Sequence, residues 1–111
     1  MEKHTTMKPN PIKERTLLFA IRIVKFCQKL SDKKEFVISK QLFKAGTSVG
    51  ANLMEAEQAE SRADFKHKVN IALKEINETN YWIELIIKSN LEKGDEVTYL
   101  KNEAKQIYQS W

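Results

Sequence analysis

The sequence contains few of the residues that end helices and form turns. It has 3 Gly and 2 Pro in 111 residues, and Pro9 and Pro11 both precede the first long apolar stretch. A sheet protein of this length needs many tight turns, which glycine and proline favour. The shortage therefore predicts an all-α protein, and the length suits one domain over residues 1–111.

The chain also lacks the residues that a disulfide, a membrane span or a metal site requires. Cys27 is the one cysteine, so we expect a reduced and buried thiol. No apolar run approaches the roughly eighteen residues of a membrane span, and no secretory leader opens the chain. Carboxylate-bridged metal sites in bundles need Glu-x-x-His motifs, and neither His4 nor His67 stands three residues after a glutamate. We expect a cytoplasmic protein with no metal, no cofactor and no membrane contact.

No catalytic nucleophile is recognisable either. Cys27 lies among apolar residues, and no serine has an identifiable base partner. The sequence therefore disfavours an enzyme.

Cap and turn signals divide the chain into four helical segments. Helix starts are indicated by Asn10 before Pro11, by Asp32, by the capping-box pair Ser61 and Asp64, and by Asp95. Helix ends are expected near Leu30, Ala59 and Ser89. Residues 1–10 are predicted to be a flexible tail.

Apolar residues recur at heptad spacing in these segments. The predicted seams are Ile38, Leu42, Ala45, Val49, Asn52, Ala56 and Ala59 in the second helix; Phe65, Val69, Ala72, Ile76, Thr79, Ile83 and Ile86 in the third; and Val97, Leu100, Ala104, Ile107 and Trp111 in the fourth. The first helix has a broader apolar face of Leu17, Ala20, Ile21, Val24 and Cys27. Short connections between four such helices predict an up-down-up-down antiparallel four-helix bundle. A dimerising two-helix hairpin is the alternative, and the third connection argues against it.

The stretch "KAGTSVGANLMEAE" places Gly46 and Gly50 four residues apart within the second helix. It matches no phosphate-binding loop pattern, so we predict an uninterrupted helix in which the glycines allow a neighbour to approach closely. A phosphate-binding turn is the weaker alternative. Asn52, Glu55, Glu75 and Glu78 are polar residues on or near the seams, where a polar residue commonly sets register.

One face of the first helix interleaves basic and aromatic residues opposite its predicted seam. Arg15, Phe19, Arg22, Phe26 and Lys29 share this face, with Lys25 at its edge. Such a face suits a single-stranded nucleic acid, with charges for phosphates and rings for stacking. The alternative is a subunit contact in which the two phenylalanines are buried.

Two further stripes, outside the predicted seams, give these helices more apolar positions than the core of a monomeric bundle needs. They are Phe36, Phe43, Gly50 and Met54 in the second helix, and Ile71, Glu75, Glu78, Trp82 and Leu85 in the third. Self-association explains them economically, and the glutamates would then pair with cations of the first helix in a neighbouring subunit.

The charges are unevenly distributed along the chain. Residues 1–45 hold eleven Lys or Arg against four Asp or Glu, a net charge of +7, whereas residues 46–111 carry −3. The basic part suits an anionic partner such as RNA, or the acidic part of a neighbouring subunit.

Two stretches carry a family resemblance. "R-x-[AS]-x-S-[IV]-x-x-N-[IL]-x-E-[AG]" matches from Lys44, in place of arginine, through Ala45, Ser48, Val49, Asn52, Leu53, Glu55 and Ala56. "F-x-x-[KF]-x-x-I-A-x-[KG]-[ES]-x-x-E-x-x-[YW]-[WL]-x-x-[LI]" matches through Phe65, Lys68, Ile71, Ala72, Lys74, Glu75, Glu78, Tyr81, Trp82 and Leu85. The chain resembles the small four-helix-bundle proteins encoded in intervening sequences of bacterial 23S ribosomal RNA genes.

The resemblance implies a pentameric barrel of bundles. A related branch, the accessory variability determinants of diversity-generating retroelements, binds a reverse transcriptase and nucleic acid through a basic surface. We therefore expect a non-enzymatic homo-oligomer that contacts RNA, with Arg15, Arg22, Lys25, Lys29, Lys40 and Lys44 as phosphate contacts. The expected subunit contacts are Phe19, Phe26, Phe36, Phe43, Met54, Trp82 and Leu85. A protein-interaction scaffold without nucleic-acid binding is the alternative.

Overall fold

Four antiparallel helices form the described part of the chain. The structure is a computed structural model and describes residues 11–110, so the expected tail, the Asn10 cap and Trp111 lie outside it. The helices are α1 (Pro11–Asp32), α2 (Phe36–Glu57), α3 (Arg62–Lys88) and α4 (Asp95–Gln109). Each contacts its two neighbours in the order α1, α2, α3, α4 and back to α1; within these residues no diagonal pair meets. The all-α, up-down-up-down four-helix bundle is confirmed, and the two-helix hairpin is wrong.

The turn after α1 differs from its sequence prediction. α1 continues to Asp32, which does not cap α2; Glu35 occupies the cap position, without a side-chain cap bond. Lys34 has a left-handed backbone with φ of 67°, and the Glu35 N–H donates to the Leu30 carbonyl at 2.9 Å. This six-residue closure satisfies an orphan carbonyl, as in a Schellman motif. α1 therefore ends at Asp32, later than the end near Leu30 that the polar residues after it suggest.

The cap of α3 is confirmed, and that of α4 is shifted. Ser61 Oγ accepts from the Asp64 N–H at 3.0 Å, as the capping-box pattern predicts. Gly94, with φ of 120°, caps α4, and Asp95 is instead its first residue. Few residues other than glycine adopt that backbone. The Asp95 carboxylate, in the first turn, still interacts favourably with the positive end of the helix dipole.

The core follows the predicted seams of α2, α3 and α4. The buried seam residues are Ile38, Leu42, Ala45, Val49, Ala56, Ala72, Ile76, Thr79, Ile83, Ile86, Val97, Leu100, Ala104 and Ile107. Phe65 is the exception, because it lies in the first turn of α3 and is 47% exposed. Asn52, Val69 and Ala59 are half-buried.

In α1 the predicted core face is only partly correct: Cys27 is buried, Ala20 and Val24 are half-buried, and Leu17 and Ile21 are exposed. Its buried residues are Thr16, Phe19, Ile23, Phe26, Cys27 and Leu30. Phe19 is 1% and Phe26 2% exposed, whereas Leu17 is 61% exposed. α1 is apolar on both faces, so periodicity could not choose between them. Burial of the phenylalanine face removes more apolar area from water, since an aromatic side chain is larger than leucine.

The close approach at the glycines of α2 is confirmed. The helix continues through both of them, so the phosphate-binding turn is wrong. A Cβ at Gly46 would lie 2.8 Å from Ile23 Cγ1, and one at Gly50 would lie 3.2 Å from Thr16 Oγ1 and 3.7 Å from the Thr16 backbone carbon. Both glycines let α1 pack tightly on α2.

The thiol of Cys27 is buried between α1 and α2, as expected. Burial raises its pKa to about 11, against a smaller opposing effect of the neighbouring Ser39 hydroxyl. Ser39 Oγ donates to the Cys27 carbonyl at 2.9 Å. Cys27 therefore packs as a small neutral side chain rather than a nucleophile.

Candidate functional site

Arginines of α1 face glutamates of α4 along the seam between these helices. Arg15 forms a two-pronged pair with Glu103, in which Nε donates to Oε2 and Nη2 donates to Oε1 at 3.1 Å. Arg22 Nη1 lies 3.4 Å from Glu96 Oε1, and its guanidinium carbon lies 4.1 Å from the centroid of the Tyr99 ring. The aromatic face and the carboxylate together hold this arginine.

Two lysines converge on Glu92 at the other end of the seam. Lys33 Nζ lies 2.8 Å and Lys29 Nζ 3.7 Å from its carboxylate oxygens. The Glu92 side chain is 11% exposed. The hydrogen bond from Lys33, together with the charges of both lysines, lowers its pKa despite partial burial. We call these contacts of Arg15, Arg22, Lys29 and Lys33 with Glu92, Glu96 and Glu103 the ion-pair ladder.

The six predicted phosphate contacts therefore fall into two groups. Arg15, Arg22 and Lys29 belong to the ion-pair ladder. The remaining three, Lys25, Lys40 and Lys44, have no ion pair with another residue of 11–110. Lys40 and Lys44 lie on the exposed side of α2, so the structure does not bring all six together.

Three of the cations nevertheless line one open groove beside α4. Arg22, Lys25 and Lys29 surround a cavity of about 560 Å³, together with Leu18, Ile21, Phe26 and Glu96. Phe26 is almost fully buried. The prediction of phenylalanines that stack on bases or contact a subunit is therefore wrong for Phe19 and Phe26, because both belong to the core.

An apolar face runs along the opposite side of α1, where it meets α2. Its members are Leu17, Ala20, Phe36, Phe43 and Met54, which we call the α1–α2 apolar face. Leu17 and Met54 line the same groove of about 250 Å³ with Ala20, Thr47, Gly50 and Ala51. Phe36 and Met54 are 61% and 58% exposed. Leu17 and Ala20, which sequence analysis assigned to the core, therefore line the surface beside the second stripe of α2.

The remaining interface candidates lie on the α2–α3 side of the bundle. Trp82 and Leu85 line a groove of about 400 Å³ with Val37 and Gln41. Trp82 Nε1 donates to Glu78 Oε2 at 3.1 Å. Trp82 is half-buried and Leu85 is 40% exposed, so both keep some apolar surface in contact with solvent.

The polar residues predicted near the seams also lie on the α2–α3 side. Glu55 and Glu78 are exposed, so they are not core residues; Glu55 pairs with Lys68 at 2.7 Å. Half-buried Asn52 donates to the Ser48 carbonyl at 2.8 Å. Burial is the main cause of a raised pKa at Glu75, Glu78 adds to it, and Lys44 opposes it.

Sequence reasoning missed the glutamate partners of the ladder. Arg15, Arg22 and Lys29 are spaced by seven residues, and so are Glu96 and Glu103. Charges with heptad spacing at the edges of two antiparallel seams commonly meet. That spacing was a usable signal, but it requires knowing that α1 and α4 are neighbours.

Other site types find no support within residues 11–110. No three His, Cys, Asp or Glu side chains gather where they could hold a metal ion. None of the helices in this part of the chain is long and apolar enough to span a membrane.

The chain is similar over nearly its whole length to a protein of known crystal structure. That structure is described as a protein of unknown function of the S23 ribosomal protein family from Bacteroides thetaiotaomicron. The two sequences are 48% identical, the match covers 89% of this chain and 93% of the other, and the TM-score is 0.86. No match was found among curated proteins.

A family model agrees with this similarity. It spans residues 9–110 and is described as 23S rRNA-intervening sequence protein. Neither description names an enzymatic activity. The match includes all four helices, and the chain therefore belongs to the 23S rRNA-intervening sequence protein family.

Proposed function

We propose that this protein is a non-enzymatic, self-associating bundle that contacts RNA through the outer surface of α1. The groove that gathers Arg22, Lys25 and Lys29 is the observation that carries the proposal. Three cations along one open edge suit successive phosphates, which position a nucleic acid without reading its bases. The ribosomal names of the family and of its relative favour RNA over DNA.

The individual cations differ in how readily they would reach a phosphate. Within residues 11–110, Lys25, Lys40 and Lys44 have no ion pair to break, whereas Arg15 is held by the two hydrogen bonds that it donates to Glu103. We therefore assign the main contacts to Lys25 and Arg22, with Lys29, Lys40 and Lys44 as secondary contacts. Arg15 contributes least.

Self-association would multiply these few contacts. A single chain has a net charge of only +4, and three phosphate contacts bind weakly at physiological salt. A ring of copies presents the groove several times, and linked sites gain affinity through their high effective concentration. The α1–α2 apolar face supplies a surface for such contacts, and a pentamer is the assembly that the family resemblance favours.

A salt titration tests RNA contact. We expect a 20-nucleotide single-stranded RNA to bind with a log–log salt slope of about −0.7 for each phosphate contacted. Lys25→Gln should weaken binding several-fold and make the slope shallower by about one contact. Fluorescence anisotropy measures both quantities. Lys74→Gln is the matched control, because Lys74 is exposed on α3, diagonal to α1.

An absence of binding even at low salt would contradict RNA contact. It would favour the second candidate, a scaffold that docks only proteins. The exposed apolar side chains of the α1–α2 apolar face are the observation that supports this candidate.

Light scattering on a size-exclusion column tests self-association. We expect the wild-type mass to be a multiple of 12.9 kDa and the double variant Phe43→Ser, Met54→Ser to shift toward one chain. The substitutions remove apolar surface from the proposed contact, which weakens association. Tyr108→Ser is the control, because Tyr108 is 45% exposed on α4. A wild-type protein of monomeric mass would refute the assembly.

A further inference from the structure

We propose that α4 restrains RNA binding, because its Glu96 carboxylate occupies the place of an RNA phosphate beside Arg22. The inference rests on the proposed function. In this view α4 is an acidic internal competitor, and binding exchanges a carboxylate for a phosphate on the same guanidinium.

The position of Glu96 is the first reason. Glu96 lines the same groove as Arg22, Lys25 and Lys29, so its charge faces the three cations assigned to RNA. Its oxygen lies 3.4 Å from Arg22 Nη1. Carboxylate and phosphate oxygens accept the same charge-assisted bonds from a guanidinium. A phosphate that enters the groove therefore competes with Glu96 for Arg22.

The ease of exchange is the second reason. Arg22 and Glu96 are 47% and 40% exposed, and an ion pair in contact with water contributes little to stability. By contrast, Glu103 on α4 is 13% exposed and takes two hydrogen bonds from Arg15, and Glu92, in the connection before α4, is 11% exposed and pairs with Lys29 and Lys33. These two carboxylates hold α4 and the connection before it on α1, so Glu96 can release its partner without separating the helices.

Tyr99 is the third reason. Its ring lies under the Arg22 guanidinium at 4.1 Å, one turn after Glu96. This contact keeps the arginine at the groove when the carboxylate is displaced, because the aromatic face attracts the cation. The guanidinium is therefore already placed for a phosphate, and only its counter-charge has to leave.

Neutralisation of Glu96 tests the inference. With the same 20-nucleotide single-stranded RNA, we expect Glu96→Gln to bind about three- to ten-fold more tightly than wild type at low salt, with a slope steeper by about 0.7. The control is Glu84→Gln, which makes the same change in net charge. Glu84 pairs with Lys101 and Lys88 and has no contact with the ladder. The double variant Glu96→Gln, Arg22→Gln should lose the gain.

Each outcome has a separate meaning. Equal affinity and slope for Glu96→Gln and Glu84→Gln would overturn the competition while leaving RNA contact in place. If neither wild type nor Glu96→Gln binds at low salt, the competition and the proposed function fall together. Melting by circular dichroism verifies that both variants are folded; Glu96→Ala provides a second test of the same carboxylate if Glu96→Gln is not.

Discussion

Replacement of Phe19 by alanine is expected to lower the free energy of unfolding by about 3–5 kcal/mol. The side chain is 1% exposed and belongs to the main core cluster, so its removal loses apolar burial and leaves a cavity. Chemical denaturation at one fixed protein concentration measures the change. A loss this large is a considerable part of the stability of a small domain, so the variant will melt at a much lower temperature.

Phe36→Ala is the matched control for this change. Phe36 is 61% exposed on the α1–α2 apolar face, so its truncation should change the stability of the single bundle by no more than about 0.5 kcal/mol. Its effect is expected on the solution mass instead. Similar losses of unfolding free energy for both variants under monomeric conditions would mean that the assignment of Phe19 to the core is incorrect.

Gly46→Val is expected to cost about 3 kcal/mol, at the upper end for overpacking in a core. The new Cβ alone would lie 2.8 Å from Ile23 Cγ1 and 2.9 Å from Ile23 Cγ2. These atoms adjoin the branch point of a fully buried side chain, so they cannot swing away. The gain in helix propensity over glycine is smaller than the clash.

A volume-conserving double variant tests this explanation. Ile23→Ala removes three carbons where Gly46→Val adds three, so the double variant should be at least about 2 kcal/mol more stable than the sum of the two single changes predicts. Urea denaturation of all four proteins gives the coupling energy. Simple additivity would show that α1 and α2 do not meet closely at this position.

The sequence by itself determined the all-α class and the number of helices. Scarce glycine and proline, the capping pair Ser61 and Asp64, and the heptad seams of the last three helices were sufficient. These signals are local: a cap satisfies orphan N–H groups within one turn, and a strict seam on an otherwise polar helix leaves only one face to bury. The sequence also predicted correctly that α2 continues through its two glycines, because no loop pattern surrounds them.

Tertiary structure alone decided which face of α1 is buried. Both faces are apolar, and the choice depends on what the neighbouring helices offer. α2 leaves space at Gly46, which Ile23 fills. Glutamates of α4 and of the connection before it lie at the edge where Arg15, Arg22 and Lys29 emerge. Neither feature lies within α1.

Packing between helices also decided how the residues of the candidate site are arranged. Sequence analysis found the basic residues of α1 but assigned them an outward face, and it placed Leu17 and Ile21 in the core. Glutamates of α4 and of the connection before it pair with Arg15, Arg22 and Lys29, which leaves Lys25 in an open groove; on the α2 side, Leu17 lies on the surface in the same groove as Met54. Residue types and spacing determined the helices, whereas the packing of residues far apart in the sequence determined which charges are paired and which apolar surface remains uncovered.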